Sequence, residues 1–103
     1  MPAMEHPDCA AAEGARARIA LLQQCVQGWM DADRVLLVDG SSLLAALERA
    51  QEGLTGENPA AARAGIAAFI ARVEALINAG ALEIADGRRP LEAARALLAA
   101  RCG

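Results

Sequence analysis

Apolar residues recur along this chain at helical spacing, in four stretches separated by Gly, Asn, Pro and Asp. Ile19, Leu22, Val26 and Trp29 stand at i, i+3, i+7 and i+10, one face of a helix running from about residue 9 to 30. Leu43, Leu47, Ala50 and Leu54 mark a second helix. Ile66, Phe69, Ile70, Val73 and Ile77 make the strongest stripe, for a third helix over about 59–79. Leu91, Ala94 and Leu98, supported by Leu97, give the inner face of a fourth. Asp31-Ala32-Asp33 breaks the first helix, and Gly80 suits the C-terminal cap of the third. Asn58 followed by Pro59 reads as an N-cap and first helical residue. The fourth helix has two readings: a start near Glu83 with Pro90 inside it, or a start at Pro90. Val35-Leu36-Leu37-Val38 is a short apolar run. A lone strand would lack a hydrogen-bonding partner, so the run is expected to connect two helices and plug one end of the bundle.

The pattern repeats. A shift of 47 positions, without a gap, lays the first half of the chain over the second. Ile19 falls on Ile66, Val26 on Val73, and Asp39-Gly40 on Asp86-Gly87; Leu22 meets Phe69, Trp29 meets Leu76 and Met30 meets Ile77. One supersecondary unit is used twice, each copy covering the apolar face of the other. The expected fold is all-α: an antiparallel four-helix bundle of two duplicated αα-hairpins. Residues 1–8 read as a disordered lead-in. Residues 9–103 read as a single domain, with repeats over about 9–56 and 57–103.

Composition narrows the packing. Hydrophobic residues make up 55% of the chain but aromatics only 2%, so helices are expected to meet through close, Ala-lined contacts. The Ala-rich faces over 60–64 and 93–99 suit either that role or contact with a second copy. The net charge of −3 is spread without a basic stripe, which argues against a nucleic-acid groove. The longest uncharged stretch, Ile19 to Met30, contains Gln23, Gln24 and Gln27, so no membrane span is expected. The amino terminus lacks the basic and apolar segments of a signal peptide.

Candidate chemistry is sparse. His6, the only histidine, forms H-x-x-C with Cys9, but two ligands do not make a structural metal site. Neither Asp-Gly pair has the alternating acids of a calcium loop, so repeated turn or cap chemistry is expected. Ser41-Ser42 has no histidine to activate it. No catalytic residue, metal or other cofactor is therefore expected. Trp29 follows Val26 by three, which favours a core role; the alternative is an anchor for a partner at a bundle end. Cys25, between Leu22 and Trp29, is expected to be a buried free thiol. Cys9 and Cys102 flank the folded region. In an even-numbered antiparallel bundle the chain ends meet, so these two can form a disulfide or stand as free thiols.

Four stretches carry a resemblance: Ser42-Leu43-Leu44-Ala45-Ala46-Leu47-Glu48-Arg49-Ala50-Gln51; Gly56-Glu57-Asn58-Pro59-Ala60-Ala61-Ala62-Arg63; Ala68-Phe69-Ile70-Ala71-Arg72-Val73; and Leu91-Glu92-Ala93-Ala94. Together they resemble FIMAH-type helical modules, similar in layout to FIVAR-like repeats, over roughly residues 34–100. The turn at Gly56-Glu57-Asn58 and the Phe69-Ile70-Ala71-Arg72-Val73 helix are the most diagnostic parts. Glu57 interrupts the family's usual turn, and Pro90 stands where that pattern has an apolar residue. The resemblance implies a small noncatalytic accessory domain at the carboxy-terminal end of an exported bacterial protein, in a setting that favours a Cys9–Cys102 bridge. The leading expectation is thus an interaction or spacer module, placed outside the cell or on its surface, with a protein partner or a second copy as its target. The alternative is a free-standing intracellular adaptor or inhibitor that docks by a helix face. Either a monomer or a homodimer fits.

Overall fold

A computed structural model describes residues 12–99. The fold is an all-α bundle of four helices: α1 (Ala12–Asp31), α2 (Leu37–Thr55), α3 (Pro59–Asn78) and α4 (Ile84–Ala99). The duplication is visible in the boundaries. Asp31 lies 47 positions before Asn78, and Leu37 lies 47 before Ile84. His6, Cys9 and Cys102 lie outside the described residues, as do the lead-in over 1–8 and the proposed disulfide.

The core follows the stripes. Ile19, Val26, Leu43, Leu47, Phe69 and Val73 are fully enclosed, and Leu22, Trp29, Ile66, Leu91, Ala94 and Leu97 are buried beside them. Leu97 rather than Leu98 takes the deeper place on α4; Leu98 is only partly covered. Val35 and its repeat counterpart Leu82 close the core where the helix pairs turn, at 8% and 3% exposure.

Each connection closes in the same way. Asp33, Glu57 and Gly80 have positive φ, at 59°, 55° and 77°. Each follows the last helical turn. The next amide reaches back five residues, from Arg34 to the Trp29 carbonyl, from Asn58 to Gly53 and from Ala81 to Leu76. These are Schellman closures, which satisfy carbonyls that the helix end leaves open. Only Gly80 is free of the Cβ penalty in this conformation. Glu57→Gly is therefore expected to raise stability by about 1 kcal/mol, read as a thermal midpoint several degrees higher. A lower midpoint would contradict the left-handed backbone at this turn.

At the start of α3, the Asn58 side chain accepts a hydrogen bond from the Ala61 amide at 3.2 Å, and Pro59 follows at N1. α4 begins at Ile84, so Pro90 lies inside it and buried. Pro90 sits at the repeat position of Leu43, and its ring takes the place of that core side chain.

The two Asp-Gly pairs are not turns. Asp39 and Asp86 lie in the first turns of α2 and α4, where a negative charge suits the helix dipole. Gly40 and Gly87 are buried helix positions. A Cβ on Gly40 would collide with Met30, and one on Gly87 would stand 2.9 Å from Ile77 Cδ1. Met30 and Ile77 are repeat counterparts, so both glycines admit the same neighbour.

Sequential helices run antiparallel. In the first hairpin the Gln51 side chain donates to the Arg16 carbonyl at 3.1 Å. In the second, Arg63 donates to the Leu98 carbonyl at 2.7 Å. The same two repeat positions are joined, with the donating side chain on opposite partners. Neighbouring helices pack in a ring, and the diagonal pairs stand apart. The ring is uneven: α2 against α3 is its most extensive contact, α1 against α4 its slightest. Duplication alone would make these two equal. Glycine explains the difference. Gly65 lets α3 approach the backbone of α2 at Ala46 and Ala50, and Gly53 lets α2 approach Ala61 and Ala62. The repeat counterpart of Gly65 is Arg18, which is exposed, so the α1–α4 seam has no equivalent approach.

Candidate functional site

The interior offers no chemistry: no polar or charged side chain is buried among the described residues. Nor does any group of three or more His, Cys, Asp or Glu among them stand close enough to hold a metal ion. No described helix is long and apolar enough to cross a membrane. What distinguishes this molecule is on its surface.

Leu36, Leu37 and Val38 are 69%, 72% and 69% exposed, and Ile84 is 66% exposed. The apolar run after Arg34 therefore does not plug the bundle. Val35 does so alone, and the chain then turns outward into α2. Leu36 is the N-cap residue of α2, in extended conformation, and gives the helix no side-chain cap. Leu37 opens the helix on its solvent side. Ile84 opens α4 at the matching repeat position. Because the helices alternate in direction, both starts lie at one end of the bundle, opposite the α2–α3 turn. Among the described residues, four of the five large apolar side chains most exposed to solvent are at this end; Leu21, on α1, is the fifth.

An ion pair ties this end together. Arg34 Nη1, in the first connection, donates to Asp86 Oδ1, in the first turn of α4, at 2.6 Å. The reciprocal pair does not form. The counterpart of Asp86 is Asp39, but Ala81 stands where Arg34 would have its own counterpart. Among the described residues Asp39 has no cationic partner, and neither do Asp31, Asp33 and Glu83.

Each hairpin also carries a shallow outer groove between its helices, lined at matching repeat positions. Gln27, Ser41, Leu44, Ala45 and Glu48 line the first; Glu74, Arg88, Leu91, Glu92 and Arg95 line the second. The backbone arrangement is shared and the chemistry is not. In the second groove Arg95 pairs with Glu74 across the helices, and Arg88 lies 3.6 Å from Glu92 along α4. Its charges are thus answered from within the groove. Ile84 joins this groove to the exposed bundle end.

Trp29 is 7% exposed and belongs to the core cluster. Cys25 is exposed, not buried. It lies roughly 80° around α1 from the centre of the Ile19–Trp29 stripe, past the edge of the packed face. Ala62 and Ala94 are buried within the bundle, whereas Ala60, Ala64, Ala96 and Ala99 face solvent.

The fold is a duplicated helical bundle whose most exposed large apolar residues, among those described, lie mostly at the starts of α2 and α4. No protein-family model matches the chain, and neither does any curated protein or solved structure. The likeness to FIMAH-type modules rests on the residues quoted above.

Proposed function

We propose that the chain is a noncatalytic helical module that holds a protein partner, set as an accessory domain in a larger exported bacterial protein. The carrying observation is the run Leu36-Leu37-Val38, three consecutive apolar side chains each about two-thirds in solvent. Single exposed apolar residues are ordinary on protein surfaces, but a consecutive run is a liability unless it is used. The accessory setting is supported by the resemblance to FIMAH-type modules. The intracellular adaptor reading draws on the same run, because docking through an exposed apolar stretch is what it requires. The free thiol of Cys25 is compatible with that setting.

A photo-crosslinking residue placed in turn at Leu37, Gln24 and Ala71, in cells that make the protein, tests the reading. A discrete protein adduct from at least one position, competed away by excess unlabelled chain, is expected. Hydrolase or transferase turnover by the purified chain, with no adduct from any position, would overturn it.

A further inference from the structure

We propose that the outer groove of the first hairpin, between α1 and α2, holds an arginine side chain of a partner protein. This rests on the reading of the chain as an interaction module and names one contact that such a partner makes. Two observations carry it: the unanswered acceptors of this groove, and the matching groove of the second hairpin.

Gln23 and Gln27 of α1 and Ser41, Leu44, Ala45 and Glu48 of α2 line one groove. Glu48 is the only charged residue in its lining. Among the described residues no Lys or Arg lies within ion-pairing distance of that carboxylate. Nor does the side chain of Gln23, Gln27, Ser41 or Glu48 make a hydrogen bond to any of them. A carboxylate, a hydroxyl and two amides thus offer acceptors from both walls. Leu44, partly buried between them, gives the methylene stem of a long cationic side chain an apolar surface to lie on.

The second hairpin shows what these positions do when a cation is supplied. Glu48 stands at the repeat position of Arg95, and Gln27 at that of Glu74. Arg95 reaches across its groove to Glu74. Arg88 pairs with Glu92 along α4, and Ser41 and Ala45 hold those two positions in the first hairpin. The second groove therefore carries two acids and two bases, each answered. The first carries one acid and no base. It keeps the central leucine, Leu44 matching Leu91, and reverses the charge at the position that supplies the cation in the other hairpin. A guanidinium from another protein restores the pairing, with Glu48 accepting where Arg95 donates.

Arginine suits this lining better than lysine. Its planar fork carries five donors, enough to reach Glu48 together with an acceptor on the facing helix, whereas lysine is a compact point charge. A phosphate-bearing occupant, whether nucleic acid or membrane surface, would meet Glu48 with like charge.

The test titrates arginine blocked at both ends, as its N-acetyl amide, into the isotope-labelled full chain. Citrulline blocked in the same way, neutral and of nearly the same shape, is the control. Binding is read from amide chemical shifts. Blocked arginine is expected to bind in the millimolar range, because an exposed ion pair adds little by itself. Saturable shifts are expected in the side-chain amide signals of Gln23 and Gln27 and in the backbone over 41–48. Blocked citrulline should give none. Glu48→Gln should weaken binding severalfold and flatten its salt dependence. Gln27→Glu with Glu48→Arg, which installs the second hairpin's pair, should abolish binding. The melting temperature should hold, because both side chains are exposed. An equal response to citrulline, comparable shifts around acids elsewhere, or an unaffected Glu48→Gln would each overturn the proposal. Tighter binding of free arginine than of the blocked form would assign the groove to a small molecule and overturn it too. So would a dimer in light scattering that Glu48→Gln dissociates. A crosslinked partner mapped to Leu37 or Ala71, with no arginine response in this groove, would overturn the groove and leave the interaction module standing.

Discussion

Gly65→Val is expected to destabilise the protein by about 3 kcal/mol or more. A Cβ at Gly65 would stand 2.7 Å from the Ala46 carbonyl oxygen and 2.7 Å from the Ala50 amide nitrogen. Both are backbone atoms inside a helix, so neither can swing aside as a side-chain tip can. To admit valine, α2 and α3 must part along the most extensive contact in the bundle. The opposing gain is small: a branched residue improves on glycine inside a helix by well under 1 kcal/mol. The clash therefore wins. The thermal midpoint should fall by roughly 12 °C or more, since 1 kcal/mol moves a domain of this size by about 4–8 °C. Gly28→Ala provides the control. Nothing lies within 4 Å of a Cβ there, so only the propensity gain remains, and stability should rise by about 1 kcal/mol. A neutral Gly65→Val would contradict the close approach of α2 and α3.

Phe69→Ala is expected to destabilise by about 3–5 kcal/mol. Phe69 is fully enclosed and the largest such side chain in the core. Its removal takes away buried apolar surface and leaves a cavity that helices on all sides can only partly close. The repeat supplies a natural comparison: Leu22 occupies the same position in the first hairpin and is 3% exposed. Phe69→Leu, which installs that residue, keeps most of the volume and should cost about 1 kcal/mol. Denaturant titrations of the two variants should differ in midpoint by that margin. Equal losses would mean that the second hairpin does not use Phe69 as a core anchor.

The helices, their order and most of the core were legible in the sequence because helical burial is periodic. The stripe from Ile66 to Ile77 can be solved only by α-helix, and Asn58-Pro59 marks its start chemically. The repeat added the hairpin architecture. The same comparison held signals that the stripe alone does not give. Cys25 falls on Arg72, which places it on an outer face despite its neighbours Leu22 and Trp29. Leu36 falls on Glu83, and a position that takes glutamate in one hairpin is not a core plug in the other. Gly40 and Gly87 were visible as a pair, but their reason was not. The close passage of Met30 and Ile77 is a tertiary contact, and no local turn pattern encodes it. The one-sided ion pair was hidden for the same reason. Among the described residues Asp39 has no cationic partner, because α4 brings Asp86 to Arg34 while Ala81 offers nothing in return.

Duplication therefore accounts for the scaffold, and divergence accounts for the surface. Both hairpins share core positions, closing turns and an outer groove. Arg18 against Gly65, Ala81 against Arg34 and Gln27 against Glu74 make them differ where they meet each other or solvent. The two hairpins therefore form one cooperative body, joined through α2 and α3.

Trp29, the single tryptophan, reports on the first hairpin alone, while circular dichroism reports all four helices. Urea unfolding followed by both probes tests the claim most directly. Coincident transitions are expected in the parent chain, and in Gly65→Val a common shift of both, although that substitution lies in the second hairpin. A Trp29 transition that stays in place while the helical signal moves or splits would contradict it.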